Sequence, residues 1–198
     1  MSAAELLLER IRQDGSVNGE IVKVDQFLNH MVDPVLIHQL GDDIAARFAD
    51  CSVTKILTAE TSGIMLAQAV ALKLQVPFIY AKKKRPITMP EYFAAASYSF
   101  TKQESTTLYV SRDVLHQGDE VLFVDDFFAK GSTLKAIEEI LSQARATLTG
   151  AAVIINKSQR RDIESILTLD DLVGYSSVHL DEEISESFYT STIFPKPS

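Results

Sequence analysis

Short apolar runs alternate with longer amphipathic stretches along most of this chain. VTKILTA (53–59) reads as a strand, GIMLAQAVALKL (63–74) as a helix and VPFIY (76–80) as a second strand. Further on, TLYVS (107–111), EVLFVDD (120–126) and GAAVIIN (150–156) read as strands, with a helix around 133–145 before the last. These strands are apolar almost throughout, as strands buried on both faces are, and helices separate them. The pattern predicts an α/β fold, a parallel sheet flanked by helices.

The flanking segments are less regular. Ser2 with Glu5 three residues later forms a capping box for a short amphipathic helix ending near Gly15. Ile21 to Val24 alternates as a brief strand, and Asp33-Pro34 offers an N-cap and first-turn proline to a helix whose apolar face carries Leu36, Ile37, Leu40, Ile44 and Phe48. Residues 86–105 form a polar stretch, long for a connection inside a compact domain. Such a stretch serves as a lid over a site, or is a surface loop or a β-hairpin packed on a partner subunit. Near the C-terminus, Phe188, Tyr189, Ile193 and Phe194 show no helical spacing and suit packing on the rest of the chain or across a dimer.

A length of 198 residues suits one domain, and 46% hydrophobic residues can fill a sizeable core. With 19 basic against 27 acidic residues the net charge is −8, which disfavours a nucleic-acid or anionic-membrane surface; any anion must be bound locally. The single cysteine, Cys51, excludes an internal disulfide and Cys-based zinc modules, and is expected to be a small buried or half-buried residue. Glu5, Glu9 and Arg10 interrupt the first apolar run, so no signal peptide or membrane span is expected there, and the expected location is cytoplasmic. The four histidines, His30, His38, His116 and His179, show no metal-ligand pairing.

The sharpest chemistry lies in VLFVDDFFAKGSTLKAI (121–137), where an apolar strand runs into two carboxylates and then a small-residue turn that opens a helix. Gly131 lets backbone approach a ligand closely, Ser132 and Thr133 offer hydroxyls, and unpaired N–H groups at a helix start bind oxyanions such as phosphate. Neither the Walker A spacing nor a Gly-x-Gly-x-x-Gly fingerprint is present, which removes nucleoside triphosphate and NAD readings. Asp125 and Asp126 fall at the carboxyl end of the strand, where open α/β sheets place ligands, and carboxylates accept hydrogen bonds from vicinal hydroxyls. A phosphate cradle beside such a pair suits a ribose 5-phosphate moiety.

VLFVDDFFAKGST resembles the phosphoribosyl-diphosphate motif of the type I phosphoribosyltransferase family. VKVDQFLNHMVDP (22–34), TAETSGI (58–64), YAKKKRPIT (80–88), ASYSFTK (96–102) and IINKS (154–158) extend the similarity over most of the chain, closest in kind to the xanthine phosphoribosyltransferases. Lys130 and Ser132-Thr133 depart from the motif where relatives vary, and residues beyond about 160 match poorly.

The resemblance implies a core of about 34–156, a small hood from about 1–33 and 157–198, and a lid loop at 86–105 carrying Tyr98 and Ser99. It implies exchange of the pyrophosphate of 5-phosphoribosyl 1-diphosphate (PRPP) for a purine nitrogen, with Mg2+ carried by the substrate and no direct protein ligand to the metal. Ala129, Lys130, Gly131, Ser132 and Thr133 would hold the 5-phosphate, and Asp125 and Asp126 would face the ribose as catalytic groups. In an otherwise acidic chain the Lys82–Arg85 run is anomalous, and Lys83, with Thr61 and Ser62 at another strand-turn-helix junction, is assigned to the pyrophosphate; Glu60 would merely cap that helix. By position alone Lys157 is a strand-end surface lysine and Asn29 a loop cap; the resemblance places both at the base, with Val22. A xanthine substrate and a homodimer are implied. The alternatives are another purine preference, guanine, hypoxanthine or adenine, or a non-catalytic PRPP-sensing regulator. A domain binding some other phosphorylated sugar is a third. The absence of a basic recognition helix counts against the regulator.

Overall fold

The computed structural model describes residues 1–99 and 104–173. His179 and the aromatic residues near the C-terminus therefore lie outside the described residues. In chain order the elements are α1 (Ala3–Asp14), β1 (Ser16–Asn18), β2 (Ile21–Lys23), a π-helical turn (Asp25–Asn29), α2 (Pro34–Arg47), β3 (Lys55–Ala59), α3 (Gly63–Leu74), β4 (Phe78–Ala81), β5 (Tyr92–Ser99), β6 (Glu104–Ser111), β7 (Glu120–Phe128), α4 (Ser132–Ala144), β8 (Thr147–Asn156) and β9 (Glu164–Thr168).

Five strands form one sheet in the order β4-β3-β7-β8-β9, and every neighbouring pair is parallel. Parallel neighbours need crossovers, and α3 and α4 supply two of them. Alternation along β7 divides the core. Leu122 and Val124 pack with α1, α2 and α3 through Leu7, Leu40, Ile44 and Val70. Val121 and Phe123 point to the other face, against Leu134, Ile137 and Ile140 of α4. Both faces are covered, so the strands carry no polar alternation, which is the signal that makes them legible as buried strands.

The N-terminal unit is built by its caps and shares the main core. Ser2 N donates to Glu5 Oε2 at 2.7 Å and Glu5 N to Ser2 Oγ at 3.2 Å, the reciprocal pair that starts α1, and Gly15 ends it. Asp33 Oδ1 accepts from Val35 N at 3.0 Å and Leu36 N at 3.1 Å, starting α2 at Pro34. Val22, Phe27 and Leu28 join Leu7 and Ile11 in the cluster on the α2 face of the sheet.

Two expectations need correction. TLYVS does not join the parallel sheet: it lies in β6, which pairs antiparallel with β5 from Tyr92↔Ser111 to Ser99↔Glu104, so residues 92–99 and 104–105 of the polar stretch are ribbon rather than loop. Phe93, Ala95 and Ser97 are buried and Ala96 and Tyr98 exposed, the alternation of a ribbon with one face covered. Gln143 of α4 clamps it, with Nε2 donating to Ala94 O at 2.8 Å, and Lys82 and Tyr109 exchange backbone bonds of 2.9 Å to fasten it beyond β4. Cys51 is exposed rather than buried, because it sits in the irregular connection that follows α2 over the surface. Among the described residues no helix is long and apolar enough to cross a membrane.

Candidate active site

β7, the central strand, delivers Asp125 and Asp126 to its carboxyl end. Asp125 is buried, with 9% of its surface exposed, and Asp126 is half-buried. Local bonds orient both: Asp125 Oδ1 accepts from Asp126 N at 3.0 Å, and Asp126 Oδ1 from Phe127 N at 2.9 Å. The chain then turns through Ala129 and Lys130, both exposed, to Gly131 at φ +75°, a left-handed conformation that glycine adopts without cost. α4 begins immediately afterwards, and no described side chain caps it. Its first N–H groups, with the half-buried Ser132 and Thr133, line a cleft of about 150 Å³ that also includes Asp125, Phe127 and Phe128. Free donors around a pocket of that size suit a tetrahedral oxyanion.

A second turn, after β3, approaches from the side. Glu60–Thr61 is a cis peptide, Thr61 is exposed, Ser62 is half-buried, and Gly63 starts α3. A Cβ on Gly63 would lie 2.1 Å from Thr58 Oγ1 and 2.6 Å from Asp125 Oδ1, so only a bare α-carbon lets this turn reach the acidic pair. Glu60 does not cap α3; its carboxylate accepts from Lys83 N and ties the turn after β3 to the loop after β4. The basic run is thereby divided. Lys83 lies close enough for its ammonium to act on Asp125, whereas Lys82 is turned onto the Tyr80 ring, 4.6 Å from its centroid, and Arg85 onto Tyr92 at 5.2 Å.

The third contribution comes from the end of β8. Lys157 N donates to Phe128 O at 2.7 Å, its Nζ sits 4.4 Å from the centroid of Phe127, and Nζ donates to Glu20 O at 2.9 Å. Burial lowers the Lys157 ammonium from its usual 10.5, while Asp126 and Glu20 pull it back upward. Phe127 and the Glu20 carbonyl were not anticipated. Phe127 reads simply as strand, and a backbone acceptor leaves no trace in residue identity. Val22 is buried in the shared core, and Asn29 is exposed at the end of the π-helical turn. Tyr98 is exposed at 43% in β5, and Ser99 pairs with Glu104 at the ribbon end.

Burial, with the charge of Asp126 beside it, pushes the Asp125 carboxyl well above the ordinary 3.8 of an aspartate; Lys83 and the Asp126 N–H oppose this without cancelling it. A carboxyl raised in the folded state holds its proton more tightly there than in the unfolded chain. Stability is therefore lost as pH rises from about 4 toward the folded value. An asparagine in place of Asp125 would keep the acceptor for Asp126 N and carry no charge. Asp125→Asn is expected to melt above wild type at pH 7, with the gap closing as pH falls below about 4. A gap independent of pH in thermal melts would refute burial of the charge as its cause.

A model of the phosphoribosyl transferase domain matches residues 36–174, a span that holds both strand-turn-helix junctions, the acidic pair and Lys157. The chain belongs to the phosphoribosyltransferase family. Among phosphoribosyltransferases it is similar to the xanthine phosphoribosyltransferase of Heliobacterium modesticaldum, 46% identical over 156 residues, 78% of this chain and 83% of that protein. The xanthine phosphoribosyltransferase of Moorella thermoacetica is 41% identical over 186 residues, covering 88% and 95% of the two chains. The adenine phosphoribosyltransferase of Leishmania donovani shares the fold, with a TM-score of 0.65 at 16% identity over 87% of this chain and 82% of its own.

Proposed function

We propose that the protein transfers the phosphoribosyl group of PRPP to xanthine, giving xanthosine 5-phosphate and pyrophosphate, as a cytoplasmic enzyme of purine salvage. The observation that carries this reading is Lys157, an ammonium laid across Phe127 at the end of the strand next to the acidic pair. An ammonium only donates, so it suits a 6-oxo purine and leaves a mismatched contact against the 6-amino group of adenine. The xanthine phosphoribosyltransferases named above point the same way.

The 5-phosphate would rest on the N–H groups and hydroxyls of the turn at Ala129, Lys130, Gly131, Ser132 and Thr133. Asp125 and Asp126 would lie beneath the ribose, where the bond from C1 to the pyrophosphate oxygen breaks and the bond to the purine nitrogen forms. Positive charge develops at C1 in that step, and fixed carboxylates in a site of low dielectric stabilise it. Thr61, Ser62 and Lys83 would receive the departing pyrophosphate. Mg2+ would arrive on the diphosphate rather than in a protein cage. That ion would supply charge neutralisation to the leaving group.

Val22, Asn29 and Lys157 would meet the base within a hood of residues 1–33 and 157–198 over a core of 34–156. The ribbon that includes Tyr98 and Ser99 would act as a lid that keeps water from C1. A homodimer is part of the same reading. Pyrophosphate release is expected with Mg2+, PRPP and xanthine, more slowly with guanine or hypoxanthine, and not with adenine, orotate or uracil. Preference for guanine or adenine would overturn the base assignment. PRPP binding without turnover on any base would favour the sensing alternative.

A further inference from the structure

Asn156, the last residue of β8, is only 3% exposed, and its side chain uses both of its ends. Oδ1 accepts from Ser158 N at 2.9 Å and from Ser158 Oγ at 2.8 Å, while Nδ2 donates to Arg160 O at 2.9 Å. Arg160 N completes the turn by donating to Ser158 Oγ at 3.1 Å. Residues 156–160 thus fold around one buried amide.

Two side chains leave this turn, and each rests on one of the aromatic residues that follow Asp126. Lys157 crosses the face of Phe127 on its way to Glu20 O. The Arg160 guanidinium lies 5.5 Å from the centroid of Phe128 and is paired with Asp162. Phe128 is buried, and its Cζ comes within 2.9 Å of where a Cβ on Gly131 would be, so its ring is the floor of the phosphate turn. We propose that Asn156 is a positioning residue that fixes the 156–160 turn, so that Lys157 meets the base while Arg160 braces Phe128 beneath the phosphate turn.

This inference rests on the base and phosphate assignments above. Its chemistry is specific to an amide. Aspartate would keep both Ser158 bonds, lose the donor to Arg160 O and set a carboxylate against that carbonyl. Alanine loses all three bonds.

The test combines kinetics with a substrate-free readout of Lys157. In 13C-lysine-labelled wild type, the ε-methylene resonance assigned by Lys157→Arg is expected upfield, shifted by the Phe127 ring. In Asn156→Ala it is expected to return to the ordinary lysine position. The KM for xanthine rises about tenfold in the same variant while kcat falls less than about threefold, the size expected for losing a buried hydrogen-bond anchor. Asn156→Asp and Arg160→Ala both raise the KM for PRPP several-fold and change that for xanthine less than about twofold. An Asn156→Ala protein that melts earlier yet keeps both KM values and the shifted resonance would reduce Asn156 to a structural role and overturn the proposal. Should that variant not fold, Asn156→Asp decides: unchanged KM for PRPP overturns the link to Arg160. Should wild type turn over no base, the proposed function fails, and the lysine resonance still decides the role of Asn156.

Discussion

Alanine at Asp126 is expected to leave a folded protein that has lost about 10²–10³-fold in kcat, the scale on which removal of one preorganised electrostatic group acts. The fold should tolerate the change. Asp126 N donates to Asp125 Oδ1 through the backbone, which alanine keeps; the bond from Phe127 N to Asp126 Oδ1 is lost. That bond contributes about 0.5–1.5 kcal/mol, and removal of the negative charge beside the buried Asp125 offsets part of it. At this chain length about 1 kcal/mol moves the melting temperature by about 2–4 °C, so wild type and variant should melt within a few degrees of each other. Pyrophosphate release and thermal melts on the same preparations test this. An active Asp126→Ala protein would remove the acidic pair from the chemistry, and a collapsed melting temperature would make the lost activity uninformative.

Gly63→Ala is expected to damage stability and activity together. The added carbon would meet Thr58 Oγ1 at 2.1 Å and Asp125 Oδ1 at 2.6 Å, both on buried residues that lack room to retreat. Overpacking of this kind costs about 1–3 kcal/mol, and either the first turn of α3 or the Asp125 carboxylate must move. The steric origin makes a sharper expectation. Thr58→Ala removes the nearer obstacle, so the double variant should be more stable than the sum of the two single changes predicts, a coupling of about 0.5–3 kcal/mol. It should remain poorly active, because the clash with Asp125 persists. Strict additivity in the melts would show that the turn yields elsewhere.

The sequence pattern carries most strands of the main sheet and the helices between them. β3, α3, β4, β7, α4 and β8 announce themselves through apolar runs and helical spacing. β5 does not, since YFAAASYS has three alanines and little of the β-branched content that marks strands. β1 has three residues, and β9 falls in the poorly matched stretch after 160. At the candidate site, features that depend on backbone are legible: Gly131 and Gly63 mark close approaches, and Asp125-Asp126 marks a strand end. What stays hidden are pairings between distant segments. Nothing near Glu60 in the sequence shows that its carboxylate takes the N–H of Lys83, 23 positions later, and nothing near Lys157 shows that its partner is a main-chain oxygen 137 positions earlier.

The strand order turns the sheet into a ruler. The Thr61–Gly63 turn, the acidic pair and Lys157 stand at the ends of β3, β7 and β8, three consecutive strands. Neighbouring strands lie about 4.8 Å apart, so the outer two marks are separated by roughly 10 Å. On the proposed assignment, the leaving group and the incoming base would flank the sugar whose C1 passes from one to the other. On that assignment a change of base preference would fall on the β8 mark, while the marks on β3 and β7 stay as they are.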